Sequence, residues 1–583
     1  MPALRYRSRL AITVAGAAAV GLGVFGVTVR ADVEPAVLQA EAARVEVIRA
    51  ASQCAVSIFA GDAGGGSGVL VSPDGYALTN FHVVEPAGPA MRCGLNDGRL
   101  YDAVLVGLDP TGDVAMIRLL GRDDFPHATP ADSDDVQPGD FCFAAGNPFL
   151  LATDLQPSIS VGIVSGVHRY QFPAGTILEY ADCIQVDAAI NPGNSGGGLF
   201  DEAGRLIGVN GRASFEKRGR VNVGVGYAIS MNQLRNFSGL LKGGRLVDHA
   251  TLGATVSSSA DGRVLVSDIL QSSDAWRRGL RYDDEIVALA GRPVRTVNAF
   301  KNVLGTLPAG WRVPLAYRRA GRRHDIVVRL AGVHSAAELA ALIADEPEPN
   351  PGDPEKSLRP ARENTETARL PDSVRGLYDP RPGFINFHFN TVERDRVAGA
   401  IAKSPAAATA AAWEFAGARA EGGRFELRLA DDEAVIDLPT GTSRIDPGGD
   451  LAADAGPPGS GGLLAALAIW RQLVRSGPHA IGGTTYWGTA PRDPHMLASG
   501  FTAQLVDVLE VSVSGMTAQI AVAADGIVSH IELWTDADAE PCLVRFGPPH
   551  PDDPRGLPTR FDVSRGDEMF GTFVVEPTAE EQP

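Results

Sequence analysis

Three short segments carry residue types that could act together: Leu78-Thr79-Asn80-Phe81-His82-Val83-Val84, Thr111-Gly112-Asp113-Val114-Ala115-Met116-Ile117 and Asn191-Pro192-Gly193-Asn194-Ser195-Gly196-Gly197. A serine hydroxyl is a poor nucleophile until a base takes its proton. A neutral imidazole can do so when a buried carboxylate fixes its tautomer and stabilises the imidazolium. Ser195, His82 and Asp113 supply these parts in one chain order. The chemistry they imply is acyl transfer through a covalent serine intermediate.

The glycines flanking Ser195 have a separate task. A tight turn there can aim the backbone N–H groups of Gly193 and Ser195 at one point, where a tetrahedral oxyanion would form. Taken singly, a glycine-flanked serine is usually a turn and a histidine after a strand is usually structural. The combination of the three segments carries the argument.

Positioning these residues needs strands. From Cys54 to Ile229 short β-branched runs alternate with turns, over Gly68–Val71, Tyr76–Thr79, Val104–Gly107, Val114–Leu119, Phe141–Ala145, Ile159–Val164, Ile184–Val186, Leu206–Asn210 and Gly224–Ile229. Strands of this length and spacing predict barrels or sandwiches. The chain has 583 residues, too many for one hydrophobic core, and its 67 glycines and 40 prolines imply many turns. Residues 249–330 carry 13 basic against 7 acidic residues, a local charge of +6 that sets them apart from the rest. Ala337–Ile343 has helical periodicity, and Asp345–Asp372 is rich in proline and charge, as expected of a flexible linker. Beyond it, strands are predicted over Arg424–Ala430, Glu433–Leu438, Ala518–Ala523, Ile527–Trp534, Pro541–Phe546 and Met569–Val575, with a helix over Leu463–Arg475.

The formal net charge of −18 repels a phosphate backbone, so no nucleic-acid partner is expected. Arg5, Arg7 and Arg9 precede an uncharged run from Leu10 to Val29, which reads either as a cleaved signal peptide or as a single retained membrane anchor. Both place the body of the protein outside the cytoplasm. Cys54, Cys93, Cys142, Cys183 and Cys542 form no CxxC pair. One or two disulfides among the first four and small buried thiols both remain open. No histidine has HExxH or other ligand spacing, so no metal and no cofactor are expected. The run Gly64–Gly68 lacks the Gly-Lys-Ser/Thr of a phosphate loop and reads as a loop entering a strand.

Residues from about Ser52 to Lys242 resemble the HtrA family of trypsin-like proteases. The matching blocks are Gly66 to Tyr76, Thr79 to Val84, Gly146-Asn147-Pro148-Phe149, Gly162 to Ser165, Gln185 to Gly197 and Gly224 to Ile229. Phe81, Gly112 and Gly198 depart from the family pattern, and Leu150–Ser160 is longer than usual. The resemblance implies two perpendicular six-stranded barrels with the cleft between them. It also implies a primary pocket near Ala189 and Ile190, and a substrate-pairing strand at Val209, Asn210 and Gly211. The residues before the nucleophile turn are uncharged, so cleavage after small or medium apolar residues is expected, with Asp187 in a structural place on the entering strand. The basic segment resembles a PDZ domain, through Leu252-Gly253-Ala254 at a carboxylate-binding loop, Ser273-Asp274-Ala275, Gly279-Leu280, Asp283 to Val287 and Gly291 to Val294. Such domains take a peptide C-terminus as an added strand. The family also assembles as homo-trimers through the segment corresponding to Val33–Gln53.

The expected fold is therefore mainly β. A signal peptide or anchor over residues 1–31 precedes a chymotrypsin-like double β-barrel over 32–248. A PDZ domain over 249–331, a flexible linker over 332–373 and a C-terminal β-rich α+β domain over 374–583 follow. The expected activity is serine endopeptidase cleavage of unfolded or misfolded exported polypeptides, in the periplasm or anchored to the inner membrane facing it. The competing readings are a binding protein whose protease fold is inactive, and a C-terminal cargo binder, since that unit has a likeness to open β-barrels that carry lipoproteins. An interaction or capping role is the preferred reading of the C-terminal unit.

Overall fold

The computed structural model describes residues 34–60, 65–147, 154–171, 178–215, 222–344, 370–408, 412–452, 456–536, 539–549, 553 and 555–576. The segment over 1–31 and most of the expected linker, 345–369, lie outside the described residues. No helix among the described residues is long and apolar enough to cross a membrane.

After helix α1 (Pro35–Ser52), six strands close a first barrel: β1 (Ala55–Phe59), β2 (Gly65–Leu70), β3 (Tyr76–Thr79), β4 (Ala90–Leu95), β5 (Leu100–Asp109) and β6 (Val114–Leu119). Helix α2 (Phe81–Val84) leaves β3 at the barrel rim. Six more strands close a second barrel: β7 (Phe141–Gly146), β8 (Ser158–Gln171), β9 (Tyr180–Val186), β10 (Gly198–Asp201), β11 (Leu206–Phe215) and β12 (Asn222–Ser230). Closure removes the unpaired edges that a sheet of this size would otherwise expose. Helix α3 (Met231–Lys242) follows, burying Leu234, Phe237 and Leu241.

A third unit begins with β13 (Ala250–Thr251), which pairs with β20 (Ala331–Gly332) and so joins its own two ends. Between them lie β14 (Ala254–Ser258), β15 (Val264–Ile269), β16 (Glu285–Leu289), β17 (Arg292–Pro293), β18 (Arg312–Arg319) and β19 (Arg322–Arg329), with helices α4 (Asp274–Arg277) and α5 (Val297–Gly305). The sheet order is β14-β15-β16-β18-β19, so β14 is an outer strand.

Helix α6 (Ala336–Ala344) precedes the undescribed stretch, and α7 (Asp372–Arg375) and α8 (Phe387–Ile401) follow it. An eleven-stranded antiparallel sheet then forms from β21 (Trp413–Arg419), β22 (Arg424–Leu429), β23 (Ala434–Leu438), β24 (Gly441–Ile445), β25 (Gly483–Pro491), β26 (Leu505–Val513), β27 (Met516–Val522), β28 (Val528–Trp534), β29 (Cys542–Phe546), β30 (Arg560–Arg565) and β31 (Glu568–Val575). Its order runs β24-β23-β22-β21-β31-β30-β29-β28-β27-β26-β25. Along β22, Phe425, Leu427 and Leu429 are buried while Arg424, Glu426 and Arg428 are exposed, the period-two pattern of a half-buried strand.

Helix α9 (Leu463–Ser476) lies against the inner face of this sheet and is buried on nearly every side. A helix apolar all round is stable only inside a core. Trp470 packs on Trp413 and Phe546, with ring centroids 4.8 and 4.4 Å away. Arg471, one of the two arginines on this helix, pairs with Asp431 at the surface. The inner face is thus filled by the chain's own helix, which counts against a cargo cavity there.

The boundary expected at residue 374 falls inside a packed region. Leu370, Val374 and Phe389 belong to the same core cluster as Val104, Val106 and Leu241. The Asn386 side chain donates to Leu105 O at 2.9 Å, and the Asn390 side chain donates to Gly243 O and Tyr486 O. These residues carry no linker-like composition, and it is burial against the first barrel and α3 that orders them. All five cysteines are free and buried.

Phe389 is fully buried at this junction, its ring edge-on to Tyr76. Phe389→Ala is expected to cost about 3 to 5 kcal/mol, read as a lowered midpoint of chemical denaturation.

Candidate active site

Strand β3 ends at Thr79 and α2 starts at Phe81, which places His82 on the rim between the barrels. Asp113 occupies the turn between β5 and β6 at φ +56°, a left-handed conformation uncommon for a residue with a side chain. The turn is held from several sides. Asn80 Nδ2 and the Phe81 amide donate to Asp113 O at 2.9 and 3.3 Å, and the Gly112 amide donates to Asp109 Oδ1 at 2.8 Å. Gly112, one of the departures from the family pattern, has no room for a side chain: a Cβ would lie 2.3 Å from Asp109 Oδ2 and 2.9 Å from His249 Nε2.

His82 Nδ1 lies 2.9 Å from both carboxylate oxygens of Asp113, and the His82 amide donates to Oδ1 at 3.1 Å. Tyr180 Oη donates to Oδ2. Asp113 is fully buried, whereas the His82 side chain is 42% exposed. The Asp113 contact holds the Nδ1–H tautomer and leaves Nε2 as the free base. Burial alone would lower the His82 pKa, but the charge and hydrogen bond of Asp113, with a smaller contribution from Glu85, raise it above the ordinary 6.5.

Ser195 follows a turn in which the Asn194 amide donates to Asn191 O at 2.9 Å. Its hydroxyl donates to Gly211 O at 3.3 Å rather than to His82. Among the described residues no protein acceptor takes the amides of Gly193 and Ser195. Gly193 has φ +100° and Gly196 φ +85°.

Ser67 ties this turn to the first barrel. Its amide donates to Ser195 O at 2.9 Å, its hydroxyl donates to Gly193 O at 2.6 Å, and it accepts from the Asn147 amide at 2.9 Å. Its carbonyl accepts from Thr79 Oγ1 at 2.6 Å. Ser67 and Tyr180 are the site residues that sequence reasoning missed. The Gly66-Ser67-Gly68 sequence was a signal for the first, but Tyr180 is 67 positions from Asp113 and nothing local marks it.

Ile190 is buried at the expected pocket, and a Cβ on Gly226 would lie 2.6 Å from Ile190 Cγ1, so the two close on each other. Asp187 Oδ1 accepts from the Ile163 amide at 2.7 Å. The expected substrate strand needs correction at two positions. Val209 pairs with Gly198 and Ile229 inside the barrel. The Asn210 amide donates to Gly197 O and its carbonyl accepts from the Gly196 amide, both at 2.8 Å. Neither has backbone left for a substrate, because the barrel's own ladder uses it. Regular pairing between β11 and β12 is interrupted after Asn210 and resumes at Ala213, so Gly211 lies in the irregular part. In the third unit the Gly253 amide is taken by Thr251 Oγ1 at 3.1 Å, and its carbonyl accepts from the Leu270 amide. Gly253 therefore has no free amide for a carboxylate.

Asp134, His168 and Asp182 bring three possible metal-ligand atoms within 4.8 Å of one another. The Arg292 guanidinium bonds both Asp182 oxygens at 2.9 Å and lies 3.0 Å from His168 Nδ1, so a side-chain cation already serves this cluster.

Two closed six-stranded barrels with a serine, a histidine and a buried aspartate at their junction define a trypsin-like peptidase fold. Residues 66–209 match the family model described as "Trypsin-like peptidase domain". Over its first half the chain is HtrA-like. A probable periplasmic serine endoprotease, DegP-like, from Chlamydia trachomatis is 37% identical over 294 residues, covering 48% of this chain and 56% of the relative. Periplasmic serine endoprotease DegP from Escherichia coli is 35% identical over 277 residues, covering 46% and 56%. The chain thus spans just over half the length of these curated relatives. A solved structure of the HtrA-type protease AlgW with tripeptide is 29% identical and covers 49% of this chain and 96% of its own, with a TM-score of 0.41.

A Cβ on Gly196 would lie 2.1 Å from Ser67 O and 2.3 Å from Thr79 Oγ1. Gly196→Ala is expected to cost about 1 to 3 kcal/mol through overpacking, seen as a reduced urea midpoint.

Proposed function

We propose that the chain is a serine endopeptidase that hydrolyses peptide bonds of unfolded or misfolded exported proteins in the periplasm. The observation that carries this reading is the His82–Asp113 pairing beside a serine whose neighbouring amides are open. Ser195 Oγ attacks the scissile carbonyl as His82 Nε2 takes its proton, and Asp113 stabilises the imidazolium that forms. The Gly193 and Ser195 amides receive the oxyanion, and His82 then returns the proton to the leaving amine. The Ser195 hydroxyl exchanges its bond to Gly211 O for one to His82 as substrate enters. The apolar surroundings of Ala189 and Ile190 favour a small or medium apolar residue before the cut.

The third unit, in this reading, is a PDZ domain that takes peptide C-termini or exposed apolar segments along β14. Its outer position in the sheet supports this. Assembly as a homo-oligomer, a trimer by family resemblance, is supported by α1, where Val37, Leu38 and Val45 are exposed.

A second reading, a binding protein with a resting protease fold, is favoured by the serine's bond to Gly211. Incubating the full chain with casein separates the two. Cleavage is expected, with Ser195→Ala lowering the rate by at least about 10³-fold. Equal behaviour of the parent and Ser195→Ala sinks the enzyme reading.

The raised His82 pKa sets the acid limb of the rate. Below that pKa the imidazole is protonated and cannot act as base, so kcat/KM falls as pH drops through it. A pH–rate profile is expected to show this limb above 6.5.

A further inference from the structure

The outer face of the eleven-stranded sheet, opposite α9, meets the third unit across a cleft lined by basic residues. The cleft encloses about 480 Å³, part of it open to solvent. Trp311, Arg312 and Arg329 come from one wall, and Trp487, Arg492, His530, Glu532 and Arg545 from the other. The register explains the convergence. Arg312 and Arg329 are directly opposed across β18 and β19, and His530 and Arg545 are opposed across β28 and β29. Ile531 and Val544, the neighbours that point the other way, lie in the α9 core.

The charges in this cleft do not balance. Arg312 Nη1 donates to Glu532 Oε1 at 3.2 Å, and Arg329 binds the other oxygen, so one carboxylate serves two guanidiniums. Among the described residues the Arg492 side chain reaches only the neutral Gln504 Oε1, at 3.3 Å. Among the described residues the Arg545 side chain has neither a hydrogen-bond nor an ion-pair partner, although it is half-buried. Burial first, and then the flanking guanidiniums, push the His530 pKa down to about 4 against the pull of Glu532, so the ring is neutral at pH 7. Four arginines and one carboxylate thus line the cleft, with Asp567 bearing on Arg312 and Asp562 opposite Arg545 on the neighbouring strand. Charge of one sign gathered in a partly buried cleft is unfavourable until a counter-charge enters.

We propose that this cleft binds a tetrahedral oxyanion of the phosphate class, either free or carried as a phosphomonoester. A carboxylate presents its two oxygens in one plane, whereas a tetrahedral dianion presents oxygens to guanidiniums from both walls at once. The net positive lining favours a dianion over a monoanion. Because Arg312 and Arg329 belong to the third unit and Arg492 and Arg545 to the C-terminal one, the anion bridges the two. The site is independent of the proposed peptidase chemistry.

The test uses the full chain carrying Ser195→Ala, which keeps it intact, titrated calorimetrically with sodium phosphate or glycerol phosphate at constant ionic strength. Saturable binding is expected, together with a rise in Tm. Arg545→Gln is expected to weaken binding at least about tenfold. Arg492→Gln, at an exposed position that leaves the core untouched, gives a severalfold loss should Arg545→Gln not fold. Arg424→Gln, whose arginine pairs with Glu576 outside the cleft, should bind as the parent does. Binding of the monoester alone would support the site and identify a substituted phosphate as its occupant. The proposal is overturned if neither anion binds saturably, or if Arg545→Gln and Arg492→Gln both bind as the parent does.

Discussion

A carboxylate taken out of water persists as an anion only where donors surround it. Asp113 meets that condition through the His82 amide, the His82 ring and Tyr180 Oη. Those donors come from the segment after β3 and from β9 of the second barrel, so both barrels must be in place before the acid is fully solvated by protein. Its turn has a further anchor. Asp109, which accepts from the Gly112 amide, is bonded by His249 Nε2 at 2.9 Å, and both side chains are buried. His249 stacks on Phe237 of α3 with ring centroids 4.6 Å apart, and it stands where the chain leaves the barrels for the third unit. Burial alone would lower the His249 pKa, but the Asp109 charge and hydrogen bond raise it.

The same strand that supplies Tyr180 also holds the third unit. The Asp182 amide donates to Asn302 Oδ1 at 2.9 Å, Asn302 Nδ2 donates to His168 O at 2.6 Å, and Arg292 forks onto the Asp182 carboxylate. Asp182 and His168 both sit at positive φ, 51° and 54°, where pairing of β8 with β9 is bulged. Backbone of this kind persists only where surrounding contacts over-determine it. Here the contacts come from α5 and β17 of the neighbouring unit. One residue separates the inter-unit fork from the donor to Asp113, so the acid and the docking surface share a single irregular strand.

What the sequence revealed followed the range of the forces involved. Tyr76–Thr79 and Val114–Leu119 coincide with β3 and β6, because alternating β-branched runs between turns are local signals. The helix over Leu463–Arg475 matches α9 within a residue for the same reason. In the barrels β1, β4 and β10 were missed, and in the C-terminal sheet β21, β24, β25, β26 and β30; Gly94 in β4 and Gly198 in β10 weaken any strand propensity, and closure of a barrel orders them regardless. Motif spacing singled out His82 and Asp113, which the structure brings into contact, and Ser195, whose hydroxyl it turns to Gly211, but carried no information about which backbone groups the barrel would consume. That is why Val209 and Asn210 were expected to meet substrate when their ladder bonds are internal. Ser67, Tyr180 and residues 370–390 take their roles from contacts between segments far apart in the chain, which no window of one sequence displays.

The C-terminal sheet raises a problem of coverage. Eleven strands present two faces, and each apolar face must meet another layer. Helix α9 covers one with Leu464, Leu467, Trp470 and Leu473. Part of the other, around Val508 and Leu543, faces the third unit, where Trp311 Nε1 donates to Thr489 O at 2.8 Å and Arg329 lies over Trp534 at 4.9 Å. Arg278 adds a bond to Glu540 at 2.6 Å. The third unit is therefore held on two sides, by β8 and β9 through α5 and by the C-terminal sheet through β18 and β19. Of its outer strands, β19 commits Arg329 to the C-terminal sheet, whereas β14 keeps Thr255, Ser257 and Ser258 exposed. An extended peptide added to this unit then has one accessible edge, and that edge belongs to a body fixed against both the strand beside Asp113 and the C-terminal sheet.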